Sequence, residues 1–234
     1  ADLASAISPL NVSCLMFADD LKIYQPITDP NGDINIQLAI DSISQWSKRN
    51  GLSLSTEKTQ FMCLGKLARS PKYMLNGRKL LMANEVRDLG FHYDHCLNFF
   101  PHYKALAAEA LFRTFNLFKL LRSRDSHLLL KAYKVYVRPI LETATTVFCP
   151  YKKKDIAILE GVQNNFTRKL YLRVFRTSYS QIPHGQERNK VFRLRSLEWR
   201  RKRNDLLLAY KILNNLVHLK SSEFLMRIDS KTRG

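Results

Sequence analysis

The sequence predicts an α+β fold in which a mixed first part, residues 1–100, is followed by a basic, all-α second part. Two observations predict this division. Before residue 100, short apolar stretches alternate with turn-forming residues, which is typical of short strands and hairpins. From Pro101 onward, apolar residues recur every three or four positions, which is typical of amphipathic helices. The chain has 234 residues, of which 45% are hydrophobic, so it is long and apolar enough to form a folded core.

Local signals predict the first elements of the mixed part. Residues 12–24 predict a β-hairpin, because two short apolar strands flank a polar break. Asp33 is a favourable N-cap for the helix that follows, and Gly51 is a favourable residue to end it. Apolar residues at helical spacing connect these two signals, so a helix is predicted between them.

Further short antiparallel strands are predicted after this helix. Residues 59–64 and 86–93 are apolar stretches of strand length. Asn76-Gly77 lies between flanking apolar residues and predicts a tight turn, because both residues tolerate positive φ. These elements complete the α+β pattern of the first part.

The second part predicts a series of amphipathic helices. Ser126 is expected to cap the second of them, which Pro139 should kink or split, and Asp155 is expected to cap the third. The final helix is expected to bury one apolar stripe: Leu206, Tyr210, Leu213 and Val217. Aromatic residues on the earlier stripes are expected in the core rather than stacked on bases: Phe112, Phe115, Phe118, Tyr133 and Tyr136.

The formal charge of +18 is concentrated in the second part. Residues 1–100 contain 10 Lys and Arg and 10 Asp and Glu, whereas residues 101–234 contain 28 and 10. Such an excess repels itself unless a polyanion lies opposite, and nucleic acid is the expected polyanion. Solubility alone is the alternative explanation. Two basic runs are the predicted phosphate contacts: Lys152, Lys153 and Lys154, and Arg200, Arg201, Lys202 and Arg203.

Two adjacent carboxylates, Asp19 and Asp20, stand at the tip of the predicted hairpin. Like charges this close destabilise each other unless a cation or water screens them. A hard divalent cation such as Mg²⁺ takes oxygen ligands, and carboxylates of this kind hold the ions in two-metal phosphoryl chemistry. The alternative is a solvated turn that uses Asp twice, and the dipeptide by itself favours that alternative.

The motifs around these carboxylates resemble a known family. Residues 14–24, Cys-Leu-Met-Phe-Ala-Asp-Asp-Leu-Lys-Ile-Tyr, resemble the aromatic-Ala-Asp-Asp hairpin of reverse transcriptases from non-LTR (LINE-type) retrotransposons. Residues 34–65 are similar to the palm helix of that family and the segment after it, with Ser55 where the family usually has Asn. Residues 86–91, Val-Arg-Asp-Leu-Gly-Phe, resemble the primer-grip strand pair, with Asp88 where Tyr or His is usual. Later motifs resemble the region after the polymerase core: residues 138–142, 162–166 and 196–201.

The resemblance implies an architecture and a reaction. The C-terminal half of a reverse-transcriptase palm would occupy residues 1–100, thumb helices residues 101–175, and a basic helical post-thumb region residues 176–234. The implied activity is that of an RNA-directed DNA polymerase, which performs target-primed cDNA synthesis with two Mg²⁺ ions. The implied partners are an RNA template, a DNA primer or target DNA, and dNTPs.

The resemblance also implies roles for individual residues. Asp19 and Asp20 would be catalytic metal ligands. Lys58 would lie near the triphosphate and act as a general acid toward pyrophosphate, whereas a surface lysine is the alternative. Leu89 and Gly90 would place the primer end, and a buried strand residue followed by a turn glycine is an equally compatible alternative.

The family's catalysis needs a further Asp and a Gln-Gly segment upstream of the hairpin, and neither is in these residues. We therefore expect this chain by itself not to polymerise. The alternative function is a non-catalytic, nucleic-acid-binding remnant of such an element. The expected location is the nucleus, with the cytoplasm as the site of ribonucleoprotein assembly. No signal peptide or membrane span is expected, because no stretch approaches the roughly 20 apolar residues that a span needs.

Overall fold

The computed structural model describes residues 2–26, 32–65 and 71–224, and these residues form an α+β protein, which confirms the predicted fold class. They divide into two compact units, the first ending at Asn98 and the second beginning at Phe99. This division agrees with the change from mixed to helical sequence near residue 100. Within the described residues, no helix is both long and apolar enough to cross a membrane.

Within its described residues, the first unit combines two helices with four pairs of short strands. The chain passes through α1 (Asp2–Ile7), a 3-10 turn (Ser8–Leu10), β1 (Ser13–Phe17), β2 (Asp20–Tyr24) and α2 (Gly32–Arg49). The later strands are β3 (Gln60–Phe61), β4 (Met74–Leu75), β5 (Arg78–Lys79), β6 (Leu81–Met82), β7 (Glu85–Asp88) and β8 (Phe91–Asp94). Three pairs are antiparallel hairpins, and two of these were predicted, at residues 12–24 and around Asn76-Gly77. The stretch 86–93, predicted as a strand, instead turns at Leu89 and Gly90 and forms the third hairpin, and β3 pairs with β6 in parallel. The β4–β5 hairpin lies between the two strands of this parallel pair in sequence.

Helix α2 carries the core of the first unit. Ala39, Ile40 and Ile43 recur at helical spacing on its buried face. The buried residues packed around them come from α1 and from the later segments: Leu3, Ile7, Val12, Tyr73, Leu75 and Leu80. Both the first hairpin and the later strands are therefore assembled on this one helix.

The predicted end of α2 is confirmed, and its predicted start is not. Gly51 has a φ of 66°, and the N–H of Leu52 donates to the carbonyl of Ser47 at 2.9 Å, which is the Schellman arrangement that glycine favours. Asp33 lies inside the first turn of the helix rather than at its N-cap, because α2 already begins at Gly32.

The second unit is helical throughout its described elements. They are α3 (Phe100–Leu120), α4 (Ser126–Ala132), a π-helical turn (Tyr133–Val137), α5 (Arg138–Glu142), α6 (Lys153–Phe175), a 3-10 turn (Tyr179–Gln181), α7 (Gly185–Val191), α8 (Leu197–Leu213) and α9 (Ser221–Phe224). Helix α6 packs against α3, α7 and α8. The described residues of the segments 101–175 and 176–234, which the sequence analysis separates, therefore pack together.

Helix boundaries in the second unit correct two predictions and confirm one. Asp125, rather than Ser126, caps α4, because its carboxylate accepts the N–H of His127 at 2.8 Å. Asp155 is buried inside the first turn of α6 and does not cap it. The interruption predicted at Pro139 is confirmed: the π-helical turn precedes it, as expected where proline removes a backbone donor.

Periodicity overestimates how many apolar residues are buried. Phe118 and Tyr133 are in the core as predicted, but Phe112, Phe115 and Tyr136 are more than half exposed. Three residues of the predicted stripe on α8 are also exposed: Leu206, Tyr210 and Leu213. A repeat of three and four identifies an apolar face, but it does not determine whether another element covers that face.

A buried polar network lies at the centre of the second unit. The rings of Tyr133 and Phe166 stack with centroids 4.1 Å apart. The Tyr133 hydroxyl donates to the side-chain oxygen of Gln163 at 3.1 Å, and the Gln163 amide donates to the carbonyl of Arg195 at 3.1 Å. Burial raises the pKa of Tyr133 far above its ordinary value. Gln163 therefore joins the π-helical turn, α6 and the segment before α8.

We expect Gln163→Leu to destabilise the second unit by about 2 kcal/mol, because the substitution removes the hydrogen-bond partner of a buried hydroxyl and of a backbone carbonyl. The chain has two tryptophans, so Trp199 alone reports urea unfolding of this unit in a Trp46→Phe background. Gln186→Leu, at an exposed position on α7, is the control and should change stability by less than about 0.5 kcal/mol. Equal stability of the two variants would contradict the importance of the network.

Candidate functional site

The tip of the β1–β2 hairpin carries the two predicted metal ligands. The strand register pairs Phe17 with Asp20, so Ala18 and Asp19 form a two-residue turn. Ala18 has a φ of 53°, a left-handed conformation that costs a non-glycine residue about 1–2 kcal/mol. Asp19 and Asp20 are both exposed. Strained residues of this kind cluster at functional sites, so the turn is a candidate site on backbone geometry as well as on sequence.

The buried face of this hairpin determines where Asp20 points. Cys14, Leu21 and Ile23 pack on the core beside α2. Because successive side chains of a strand alternate between faces, Asp20 and Lys22 lie on the opposite, solvent-facing side. The apolar residues of the hairpin thus direct the second carboxylate outward.

The tip provides part of a binding site for a hard cation. Magnesium is usually held by one or two carboxylates, keeps several waters and also binds substrate phosphates. Asp19 and Asp20 supply adjacent oxygen donors, and neither has an ion-pair partner among the described residues. Within the same residues, no group of three or more metal-ligating side chains is present. The two carboxylates therefore fit magnesium but leave its other ligands to waters, phosphates or further protein groups.

The outer face of the hairpin is tied to the β7–β8 hairpin through Lys22. Its ammonium group forms an ion pair with Asp88, which also accepts the hydroxyl of Tyr93 at 3.1 Å. Partial burial lowers the pKa of Lys22, but the hydrogen bond to Asp88 and the attraction of Tyr93 and Asp88 outweigh that effect and raise it. Burial and the Asp88 charge likewise raise the pKa of Tyr93. Asp88, which departs from the family's usual residue, therefore has a defined partner in this chain.

Leu89 and Gly90 form the two-residue turn of the β7–β8 hairpin. Their φ values are 47° and 89°, which matches the type I′ turn that right-twisted strands favour. Gly90 tolerates this conformation, whereas Leu89 is strained and 52% exposed. The alternative interpretation of Leu89 as a buried strand residue is therefore wrong. An exposed apolar residue held at the tip of a turn is compatible with contact to a ligand.

Lys58 is exposed in a short turn that Ser55 closes. The Ser55 hydroxyl accepts the N–H of Lys58 at 3.4 Å, and the Ser55 carbonyl accepts the Thr59 hydroxyl at 2.7 Å. A short polar side chain commonly closes a turn in this way. Ser55 can therefore close this turn in place of the asparagine that reverse transcriptases of the resembled family usually have there.

The first predicted basic run in the second unit is solvent-facing. Lys152, Lys153 and Lys154 are all exposed at the start of α6. The ammonium groups of Lys152 and Lys154 lie 5.4 and 5.0 Å from the ring centroids of Tyr151 and Phe100. This run therefore remains a candidate phosphate contact.

The second predicted run does not form one phosphate-binding face. Arg200 forms a bidentate ion pair with Glu142. Arg201 is only 1% exposed and lies 4.0 Å from Glu160. The other two members of the run lie at the surface. Lys202 forms an ion pair with Glu198 at 2.8 Å, and Arg203 is exposed. Because consecutive residues on a helix point in different directions, the four cations of this run do not face one surface.

Sequence reasoning missed a second group of cations. Arg122, Arg124, Lys169 and Arg176 converge on one cleft, although they come from segments far apart in the chain. No local motif links them, and only the packing of α3 against α6 brings them together.

Comparisons with known proteins show no family for this chain. No protein-family model matches it, and no solved structure matches it. One curated relative is the uncharacterized protein B0403.1 of Caenorhabditis elegans, which is 33% identical over 103 residues. The match covers 43% of this chain and 52% of the worm protein, so the chain spans about half the length of that relative.

We expect Leu89→Asn to stabilise the first unit by about 0.5–1 kcal/mol, because asparagine tolerates positive φ and Asn-Gly is the favoured type I′ turn. Trp46 fluorescence in a Trp199→Phe background reports urea unfolding of this unit. Leu64→Asn, at an exposed position without positive φ, is the control and should give no gain. A loss of stability in Leu89→Asn would mean that the leucine packs rather than being strained.

We expect the first unit to lose stability as the pH rises above about 10. Lys22 and Tyr93 have pKa values raised above 10.5 and 10.0, so the stability linked to their protons is present below those values and is lost as the folded pKa values are passed. The double variant Lys22→Met, Tyr93→Phe should flatten the alkaline part of the stability profile, measured through Trp46. Lys48→Met with Tyr24→Phe is the matched control, and an identical flattening there would refute the assignment.

Proposed function

We propose that this chain is the part of an RNA-directed DNA polymerase, a reverse transcriptase of the non-LTR retrotransposon type, that carries the metal-binding turn and a nucleic-acid-binding helical unit. The observation that carries the proposal is the tip of the β1–β2 hairpin, where two adjacent exposed carboxylates stand on a strained turn. A turn that only joins two strands is better served by Asn-Gly or Asp-Gly than by Ala-Asp. The strain at Ala18 therefore supports a role for this turn beyond joining two strands.

In this function, Asp19 and Asp20 would contribute carboxylate ligands to two Mg²⁺ ions, which would supply charge neutralisation for the nucleotidyl transfer. Lys58 donates a proton to the departing pyrophosphate of the dNTP as a general acid. Leu89 and Gly90 contact the primer end from their exposed turn. The further catalytic Asp belongs to sequence upstream of the hairpin, and this chain alone is expected not to polymerise.

The charge of the second unit supports a nucleic-acid partner. All of the net +18 belongs to residues 101–234, and the run Lys152–Lys154 is exposed. Phosphate contacts from such groups hold an RNA template and a DNA primer without reading their sequence. Target-primed cDNA synthesis takes place on chromosomal DNA, so the proposed working location is the nucleus, with assembly on RNA in the cytoplasm.

A non-catalytic nucleic-acid-binding protein descended from such an element is the second candidate function. The same charge distribution favours it, because the cationic surface lies in the second unit and the carboxylate turn lies in the first. Both functions predict salt-sensitive binding to an RNA·DNA hybrid. Synthesis, rather than binding, separates them.

We expect Asp19→Asn to abolish cDNA synthesis in a polymerase formed by joining this chain to an upstream segment with the further catalytic Asp. Loss of a metal ligand removes several kcal/mol of transition-state stabilisation, so the rate should fall at least about 100-fold. Binding of an RNA·DNA hybrid should be unchanged. Asp41→Asn, an exposed carboxylate on α2, is the charge-matched control. Synthesis retained by Asp19→Asn would refute the metal role, and binding without synthesis in the unsubstituted protein would favour the second candidate.

A further inference from the structure

An open cleft of about 530 Å³ lies where the C-terminal ends of α3 and α6 meet. Five basic and two apolar residues line it: Phe118, Arg122, Arg124, Lys169, Leu172, Arg173 and Arg176. No acidic residue is among these lining residues. The cleft is therefore a strongly cationic surface of the second unit, and neither of the basic runs predicted from sequence contributes to it.

Arg173 builds one wall of this cleft. Its guanidinium group donates to the backbone carbonyls of Leu121 and Phe118, the latter at 2.8 Å, and lies 4.8 Å from the centroid of the Phe118 ring. These contacts satisfy carbonyl groups at the end of α3 that the helix itself leaves without donors. Arg173 is therefore a structural residue that fixes the end of α3 against α6.

The other four cations of the cleft lack a carboxylate partner within the part of the chain that the structure describes. Among the described residues, no carboxylate forms an ion pair with Arg122, Arg124, Lys169 or Arg176. The unit pairs its arginines elsewhere, as the contact of Arg200 with Glu142 illustrates. Four like charges that face one cleft without carboxylates repel one another, and a bound anion relieves that repulsion.

We propose that this cleft binds the phosphodiester groups of a nucleic-acid strand. The inference rests on the proposed nucleic-acid function and deepens it by assigning the contact residues. Guanidinium groups recognise phosphate through paired hydrogen bonds, and three of the four free cations are arginines. The cleft is open and larger than a single phosphate requires, which suits a passing chain.

An exposed aromatic ring adjoins this cationic surface. The ammonium group of Lys169 lies 5.9 Å from the ring centroid of Phe115, and that ring is 54% exposed. Aromatic rings beside a basic groove accept stacked bases of single-stranded nucleic acid without sequence preference. Phe115 therefore offers a stacking surface wherever the bound strand is unpaired, whereas the phosphate contacts of the cleft do not depend on pairing.

The test compares two triple variants of the whole 234-residue chain. Arg122→Gln, Arg124→Gln, Arg176→Gln removes three cations of the cleft, and Lys131→Gln, Lys134→Gln, Lys211→Gln removes three exposed cations outside it. Binding to a fluorescent RNA·DNA hybrid is measured by anisotropy across a salt series. Each lost phosphate contact lowers the slope of log K against log salt by about 0.9, so the cleft variant should lose about 2–3 in slope. The control variant should keep the slope of the unsubstituted chain.

The single variant Lys169→Gln is a safeguard in case the triple variant does not fold. Among the described residues, the contact of Lys169 is with the ring of Phe115 rather than with the backbone, so this substitution should leave the fold intact. It should lower the slope by about 1. If the unsubstituted chain binds the hybrid but both cleft variants keep its slope, the cleft assignment is overturned while nucleic-acid binding stands. If the unsubstituted chain does not bind, the nucleic-acid function and the cleft assignment both fail. A loss of slope in both the cleft and control triple variants would also overturn a specific role for the cleft.

Discussion

The burial of one face of the β1–β2 hairpin against α2 is the constraint on which the candidate site depends. Strand side chains alternate, so the packing of Cys14, Leu21 and Ile23 into the core fixes the direction of every other side chain in the hairpin. A slip of one residue in register would turn Asp20 into the core and Leu21 into solvent. The apolar residues thus provide the energy that holds a pair of carboxylates at an exposed, strained turn.

The ion pair between Lys22 and Asp88 has a consequence for the same carboxylates. Lys22 lies two residues from Asp20 on one face of β2, where its ammonium group could neutralise that carboxylate. Asp88 instead binds the ammonium group from the neighbouring hairpin, and Tyr93 donates to the same carboxylate. Asp20 therefore does not share the ammonium group of Lys22, and the turn formed by Leu89 and Gly90 is attached to the strand that carries Asp20. The departure at Asp88 from the usual family residue is therefore an interaction with a physical role in this chain.

Sequence determined the local features of the fold better than its longer-range ones. The Asn76-Gly77 turn, the end of α2 at Gly51 and the break at Pro139 each depend on the backbone preferences of one or two residues, whereas the hairpin at residues 12–24 was predictable from the apolar stretches that flank its polar break. The cap predicted at Ser126 is one residue too late because the adjacent Asp125 is an equally good cap, and the cap predicted at Asp155 is wrong because α6 begins at Lys153 without a side-chain cap. The exposure of Phe112 and Leu206 depends on whether another element packs there, which periodicity does not encode. For the same reason, sequence located the carboxylate turn but gave no sign of the Lys22–Asp88 ion pair, whose members are 66 residues apart.

The cationic residues of the second unit separate into two classes for a geometric reason. Neighbours in a basic run diverge on a helix by about 100° per residue, so the run at Arg200–Arg203 places one member toward Glu142, another into the interior near Glu160, and the rest outward. Arg200 and Arg201 lie near carboxylates that compensate the charge of a partly buried and a fully buried guanidinium group. Residues such as Arg122 and Arg176, which end different helices, converge only after α3 and α6 have packed, and no carboxylate comes with them. The cations that folding gathers in the cleft are thus more available to an external anion than the contiguous run at Arg200–Arg203, whereas the exposed run Lys152–Lys154 is available although it is contiguous in sequence.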